Sequence, residues 1–227
     1  MATHSAIGCH SNATESYLYV LNSLAGTSFA RVADALHLEH NCACFKAGAS
    51  RASRARSPIF PSSHTWSHVH LNQGTYEQIA YQLELIENAM IKILGVKPLY
   101  FRPPYGEYNE VVLQVLRDRG YRGLILWSQD SGDSLGAPPS SSEIIESYRS
   151  YPDQTNVLNH ETKSFTVNDV MPNVIPILKD RGFNLQTVPA CLNLGSNPSD
   201  WYVSVQQPGS RDETWTCNGT PSPGNFE

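Results

Sequence analysis

The sequence predicts an α/β fold built on a parallel sheet, closed as a (β/α) barrel in preference to an open sheet. Three observations carry this. From about residue 98 onward short apolar runs alternate with helical periodicities, the pattern that successive strand–helix units leave in a chain. A long amphipathic helix begins at a capping signal at Thr75. Polar residues of chemical interest then recur where strands hand over to helices, the edge at which barrels and open α/β sheets place their active sites. The 227 residues suffice for one domain with a full core. A formal net charge of -5 and a pI near 5.9 exclude the basic surface that nucleic acid demands, so no nucleic-acid partner is expected.

Residues 12–24 read as a short helix, with Thr14 as cap before Tyr17, Leu18, Leu21 and Leu24 at helical spacing. From Gly26 to Ser63 the periodicity decays. The Arg/Ala/Ser run 49–57 carries excess positive charge and reads as a solvated loop. Order returns after His64. Thr75 and Gln78 form a capping box, and Tyr76, Ile79, Leu83, Ile86, Met90 and Ile93 mark the buried face of a helix closed by Gly95. Pro98–Phe101 is a strand, 102–106 a turn, and 109–119 a helix ended by Gly120.

Tyr121–Trp127 reads as a buried strand, 128–140 as a polar loop, 142–150 as a helix and Asn156–Asn159 as a strand. Thr166 and Asp169 cap a helix running to Arg181, with Val167, Val170, Val174 and Leu178 inward and Pro176 removing one internal hydrogen bond. Phe183–Val188 is the last strand. Beyond Leu192 the chain is rich in Asn, Pro, Ser and Gly, and Trp201, Tyr202 and Trp215 read as anchors for this tail rather than as sugar platforms. The organisation is thus a degenerate part over 1–63, a core over 64–191 and a tail over 192–227.

The chemistry collects around His64-Thr65-Trp66-Ser67-His68. Two imidazoles four residues apart can face one way on a helical turn or a tight loop, and neutral imidazole is the commonest protein ligand for a divalent metal. Arg102 follows one strand, Asp130 and Asp133 the next, and His160 ends a third. Singly, each has an ordinary structural reading: Arg102 holding a loop, Asp130 and Asp133 making turns around Gly132, His160 hydrogen-bonded in the core. Together at one sheet edge they point to a hydrolytic metal site.

These stretches, with Arg102-Pro103-Pro104-Tyr105-Gly106, Trp127 through Asp133 and Leu158-Asn159-His160, resemble the second to fifth motifs of the polysaccharide deacetylases. Those are the NodB-homology carbohydrate esterases, and the likeness to fungal chitin deacetylases spans about residues 64–217. The resemblance implies a distorted (β/α) barrel of the NodB-homology type and a metal-dependent hydrolase that removes N-acetyl groups from chitin or a related N-acetylglucosamine polymer. It implies that His64 and His68 bind Zn2+, Co2+ or another divalent ion. By the same resemblance, the Tyr105 backbone N–H would meet the oxyanion and Arg102 would orient the catalytic base. His160 would protonate the leaving amine with Asp133, preferred to Asp130, setting its charge. Leu158, Trp127 and Pro104 would line the substrate site. An extracellular or cell-wall location and a monomer follow from the family, although the chain shows no signal peptide and no membrane span.

The departures are specific. The family's first motif ends in an Asp-Asp pair that supplies the base and a metal carboxylate, and this chain has no Asp-Asp pair. His4, His10, Asp34 and Glu39 are the substitutes at hand, and nothing in the spacing places them. Glu161 and Ser134 stand where the family usually has Asp and Trp. A reading frame shifted between about Gly26 and Ser63 accounts for both the missing motif and the patternless stretch. Without the motif, activity is expected to be impaired, and a non-catalytic carbohydrate-binding relative is the alternative. Cys9 is a weak candidate to bridge Cys191, and a structural zinc site at Cys42 and Cys44 ranks well below the esterase reading.

Overall fold

A computed structural model describes residues 3–11, 15–18, 61–185, 188–210 and 212–227. The expectations for residues 26–60, including Cys42, Cys44 and the Arg/Ala/Ser run, lie outside these residues. The fold is organised by helix α1 (Tyr76–Leu94), and its local chemistry explains its limits. Thr75 Oγ1 accepts from the Gln78 N–H (3.3 Å) while Gln78 Oε1 accepts from the Thr75 N–H (3.0 Å), which satisfies two amides the helix cannot serve itself. Gly95 ends it at φ 77°, a conformation that favours glycine. Ile79, Leu83, Ile86, Met90 and Ile93 are all buried, as their spacing requires.

The other α-helices among the described residues are α2 (Glu110–Asp118), α3 (Ser141–Tyr148), α4 (Met171–Asp180), α5 (Val188–Cys191) and α6 (Pro198–Trp201). Strands β1 (Thr3–Ser11), β2 (Glu15–Leu18), β6 (Gln129–Asp130), β7 (Asn156–His160) and β8 (Phe183–Asn184) form one sheet in the order β6-β7-β1-β2-β8. Two small sheets pair β3 (Val96–Pro98) with β9 (Tyr202–Ser204), and β4 (Tyr100–Phe101) with β5 (Gly123–Leu124).

Several expectations change here. The described strands do not close into one parallel barrel: β1 runs antiparallel to both β7 and β2. Residues 15–18, expected in a helix, are extended, because β1 and β8 offer ladder partners on both sides of β2. The strand expected over 121–127 changes neighbours midway. Gly123 and Leu124 pair with β4, after which Ser128 N–H donates to the Asn156 carbonyl (2.9 Å), and the expected loop beyond contains β6. The strand expected over 183–188 stops at Asn184, and α5 begins at Val188. Thr166 does not cap a helix. It opens a π turn over Thr166–Val170 that runs into α4.

Two apolar layers hold the core. One packs Ile144 and Tyr148 of α3 and Val174 and Leu178 of α4 on Val157 and Phe183. The other packs α1 and α2 on Phe101 through Ile79, Leu83, Val112 and Val115. A smaller cluster joins Trp66, Ile86 and Ile93 to Trp215, so the tail is fastened to the far side of α1. Tyr202 adds a second fastening, its hydroxyl donating to the Pro61 carbonyl at 2.8 Å.

Candidate active site

The strands aim four segments at one edge. Ser63 bridges Phe101 in parallel, β4 pairs β5 in parallel, and β6 pairs β7 in parallel. Their carboxyl ends therefore deliver His64, Arg102, the Asp133 loop and His160 to the same side. β1 reaches that edge with its start, since Thr3 stands opposite His160 and His4 opposite Asn159.

Asp133 and His160 form a closed pair. The carboxylate is 1% exposed, and it accepts from His160 Nδ1 (2.6 Å), from the His160 backbone N–H (2.7 Å) and from the Thr166 hydroxyl (2.8 Å). Burial pushes the Asp133 carboxyl up, but these donors outweigh it and leave its pKa below the ordinary carboxylate value. With Nδ1 held by Asp133, the Nε2 of His160 is the nitrogen left to carry a transferable proton. Asp130 is exposed and accepts instead from the Gly132 N–H (2.8 Å) in a tight turn, so the structure sets Asp133, not Asp130, against His160.

The histidine loop is tight rather than helical. Thr65 (φ 65°) and His68 (φ 55°) both sit in the left-handed region, a strained state for a β-branched threonine. Gln82, fully buried on α1, offsets that strain: its Oε1 accepts from the Trp66 and Ser67 N–H groups (3.1 and 2.9 Å). The end of the tail closes the clamp, with Ser67 Oγ donating to the Asn225 carbonyl (2.5 Å) and Gly224 N–H to the Ser67 carbonyl (2.6 Å). The two imidazoles meet edge-on, with ring centroids 5.0 Å apart. Desolvation, reinforced by the nearby Arg102 charge, holds His64 well below its ordinary pKa and His68 at about 3, so both rings are neutral at physiological pH.

Arg102 completes this half. His64 Nδ1 donates to the Arg102 carbonyl (2.5 Å), which fixes the tautomer and leaves Nε2 as acceptor; Arg102 Nη2 donates to that Nε2 at 3.1 Å. The guanidinium also lies 5.6 Å from the centre of the Trp127 ring. Beside it, Tyr105 (φ 57°) stacks on His70 at 4.0 Å, and its ring is half exposed at the rim. Gly106 lets Trp127 close over the turn, for a Cβ there would lie 3.2 Å from the indole. Pro104 is buried within the turn and Leu158 is buried on β7.

Catalytic zinc takes three protein donors and leaves a position open. Among the described residues no group of three or more His, Cys, Asp or Glu converges, and the two imidazoles have a guanidinium donating to one of them. Of those donors the described residues supply at most two, the imidazoles of His64 and His68. Gln82 and Thr166 are site residues the sequence reading missed; the signal for Gln82 was an amide on the apolar face of α1, three residues beyond Ile79.

Comparison with known proteins shows what the chain is similar to. Residues 51–124 match the polysaccharide deacetylase family model. A chitin deacetylase from Pestalotiopsis sp is 30% identical over 147 residues, which cover 63% of this chain and 47% of that protein. One from Amylomyces rouxii is 28% identical over 177 residues, covering 71% and 38%. The chain thus spans less than half the length of these curated relatives. Among solved structures, the chitin deacetylase of Colletotrichum lindemuthianum superposes with a TM-score of 0.55 at 27% identity, covering 63% of this chain and 65% of that one. A family 4 carbohydrate esterase pseudoenzyme from Bacillus anthracis shares the fold, with a TM-score of 0.52 at 22% identity and coverage of 58% and 45%.

Proposed function

We propose that this chain belongs to the polysaccharide deacetylase family and acts on chitin or a related N-acetylglucosamine polymer as a weak N-deacetylase. The observation that carries the reading is the Asp133–His160 pair, at the strand edge that also carries His64 and Arg102. His160 gives its proton to the amine as it leaves, and Asp133 stabilises the imidazolium during the cycle. The Tyr105 peptide, turned by its positive φ behind two prolines, offers its N–H to the developing oxyanion. Trp127, Pro104 and Leu158 form the apolar wall against which the acetyl group rests. The described residues include no carboxylate placed to activate water, and hydrolysis is correspondingly slow.

A second reading has its own observation. Arg102 donates to the imidazole nitrogen of His64 that would otherwise face a ligand, an arrangement suited to carbohydrate binding without hydrolysis. Chitin oligomers incubated with the purified protein separate the two. Acetate released by the wild type and lost in His160→Ala supports the deacetylase; oligomer binding without acetate in either protein supports the binding module. Cys191 and Cys217 are both disulfide-bonded, which supports an oxidising, extracellular or wall setting.

A further inference from the structure

Asn218-Gly219-Thr220 has the form Asn-x-Ser/Thr with no proline in the middle, the acceptor pattern for an N-linked oligosaccharide. Asn12-Ala13-Thr14 has the same form and lies outside the described residues, whereas Asn197-Pro198-Ser199 is excluded by its proline. Asn218 and Gly219 are exposed in a turn, and a Cβ added at Gly219 (φ 76°) would meet nothing within 4 Å, so the turn faces open space. That turn is held without the Asn218 carboxamide. The Thr216 hydroxyl accepts from the Asn218 backbone N–H (3.3 Å), and the Cys217 carbonyl accepts from the Thr220 N–H (3.1 Å) and hydroxyl (2.8 Å). Among the described residues the Asn218 carboxamide makes no hydrogen bond, whereas Asn159 spends its own on the Tyr148 hydroxyl and Asn225 on Ser222. Cys217, the residue before it, is disulfide-bonded, which places this part of the chain in an oxidising compartment when it folds.

We infer that Asn218 is a modification site that carries an N-linked oligosaccharide. The donor is an oligosaccharide bound through a diphosphate to a polyprenyl lipid in the secretory lumen. The Asn218 carboxamide nitrogen bonds to the anomeric carbon of the first sugar, the bond from that carbon to the diphosphate oxygen breaks, the diphosphate leaves with the electron pair, and the nitrogen gives up one proton. The folded chain accepts the product without losing a contact, because the carboxamide is exposed and holds nothing else in place. The site falls between two anchors of the tail, Trp215 in the α1 cluster and Gly224 at Ser67, so the sugar covers the tail where it passes from one to the other. The inference is independent of the deacetylase reading, since no residue of the strand edge enters it.

The experiment is expression of the full chain behind a cleavable secretion leader in yeast, followed by peptide mapping by mass spectrometry. Secreted and lumen-retained protein are both mapped, before and after a peptide N-glycosidase that leaves a carboxyl where each occupied carboxamide stood. Because the sugar is attached as the chain enters the lumen, the retained pool reports on Asn218 even for a variant that folds poorly. The peptide spanning Asn218 is expected to carry an oligosaccharide in most molecules, and the peptide spanning Asn197 to carry none. Asn218→Gln and Thr220→Ala should lose it, and Thr220→Ser, which keeps the hydroxyl, should retain it. Unglycosylated Asn218→Gln should still melt cooperatively, as a change at an exposed turn permits. The inference is overturned if Asn218 is bare in the wild type, if the sugar is found at Asn12 alone, or if Thr220→Ala keeps full occupancy. Acetate release from chitin oligomers, present or absent, bears on the deacetylase reading and leaves this one untouched.

Discussion

The two halves of the site are built from similar residues and are opposite in their electrostatics. In one, Asp133 and His160 meet with every described donor matched: a carboxylate on a residue only 1% exposed takes three hydrogen bonds. In the other, Arg102 stands over two neutral imidazoles with no carboxylate among the described residues. Burial acts on both, pushing the carboxyl up and the guanidinium down. Only Asp133 has partners that reverse the effect. Burial at an active site is therefore no sign of stabilisation until the counter-charge has been found.

The comparison breaks first at Asp133. Asp133→Ala strands three donors in the interior and should destabilise the fold by about 3–5 kcal/mol in urea melts, abolishing any acetate release. Its pH signature is equally specific. The folded pKa of Asp133 lies below the unfolded value near 3.8, so its contribution is complete above that value and fades as pH falls through the folded one. That acid-side loss should be absent from Asp133→Asn. Gln82→Leu comes next, with a loss of about 2–4 kcal/mol, because the Trp66 and Ser67 N–H groups lose their acceptor; faster hydrogen exchange at Ser67 would report the loosened loop.

Arg102→Met sharpens the contrast by its sign. Removing an uncompensated cation should leave stability unchanged or raise it by about 1 kcal/mol, visible as a higher Tm, whereas any comparable change at Asp133 lowers it. Thr166→Val removes one of three donors to Asp133 and should lower stability by about 1 kcal/mol. Tyr105→Phe is the smallest. Only the backbone N–H of Tyr105 is assigned a role, so acetate release and stability should stay within about 0.5 kcal/mol of wild type.

The residues themselves determined much of this. The 3.6-residue spacing from Tyr76 to Ile93, the Thr75–Gln78 box and Gly95 specify α1 completely, because those signals act within a turn or two of the chain. The positions of Arg102, Asp133 and His160 at strand ends were legible for the same local reason, and with them the edge where the site forms. Tertiary structure decided what lies further apart in sequence. Tyr17 and Leu18 have helical spacing yet lie extended, since pairing with neighbouring strands outweighs a few residues of local preference. Gln82 reads as an ordinary polar residue until it is seen against Ser67, and Asn225 reads as tail until its carbonyl is found at the same serine. Thr166 resembles a cap until Asp133 takes its hydroxyl. Local periodicity registers only neighbours along the chain, whereas a buried polar group is satisfied by whatever the fold brings to it, and Arg102 shows that the fold can bring a neutral imidazole where a carboxylate was expected.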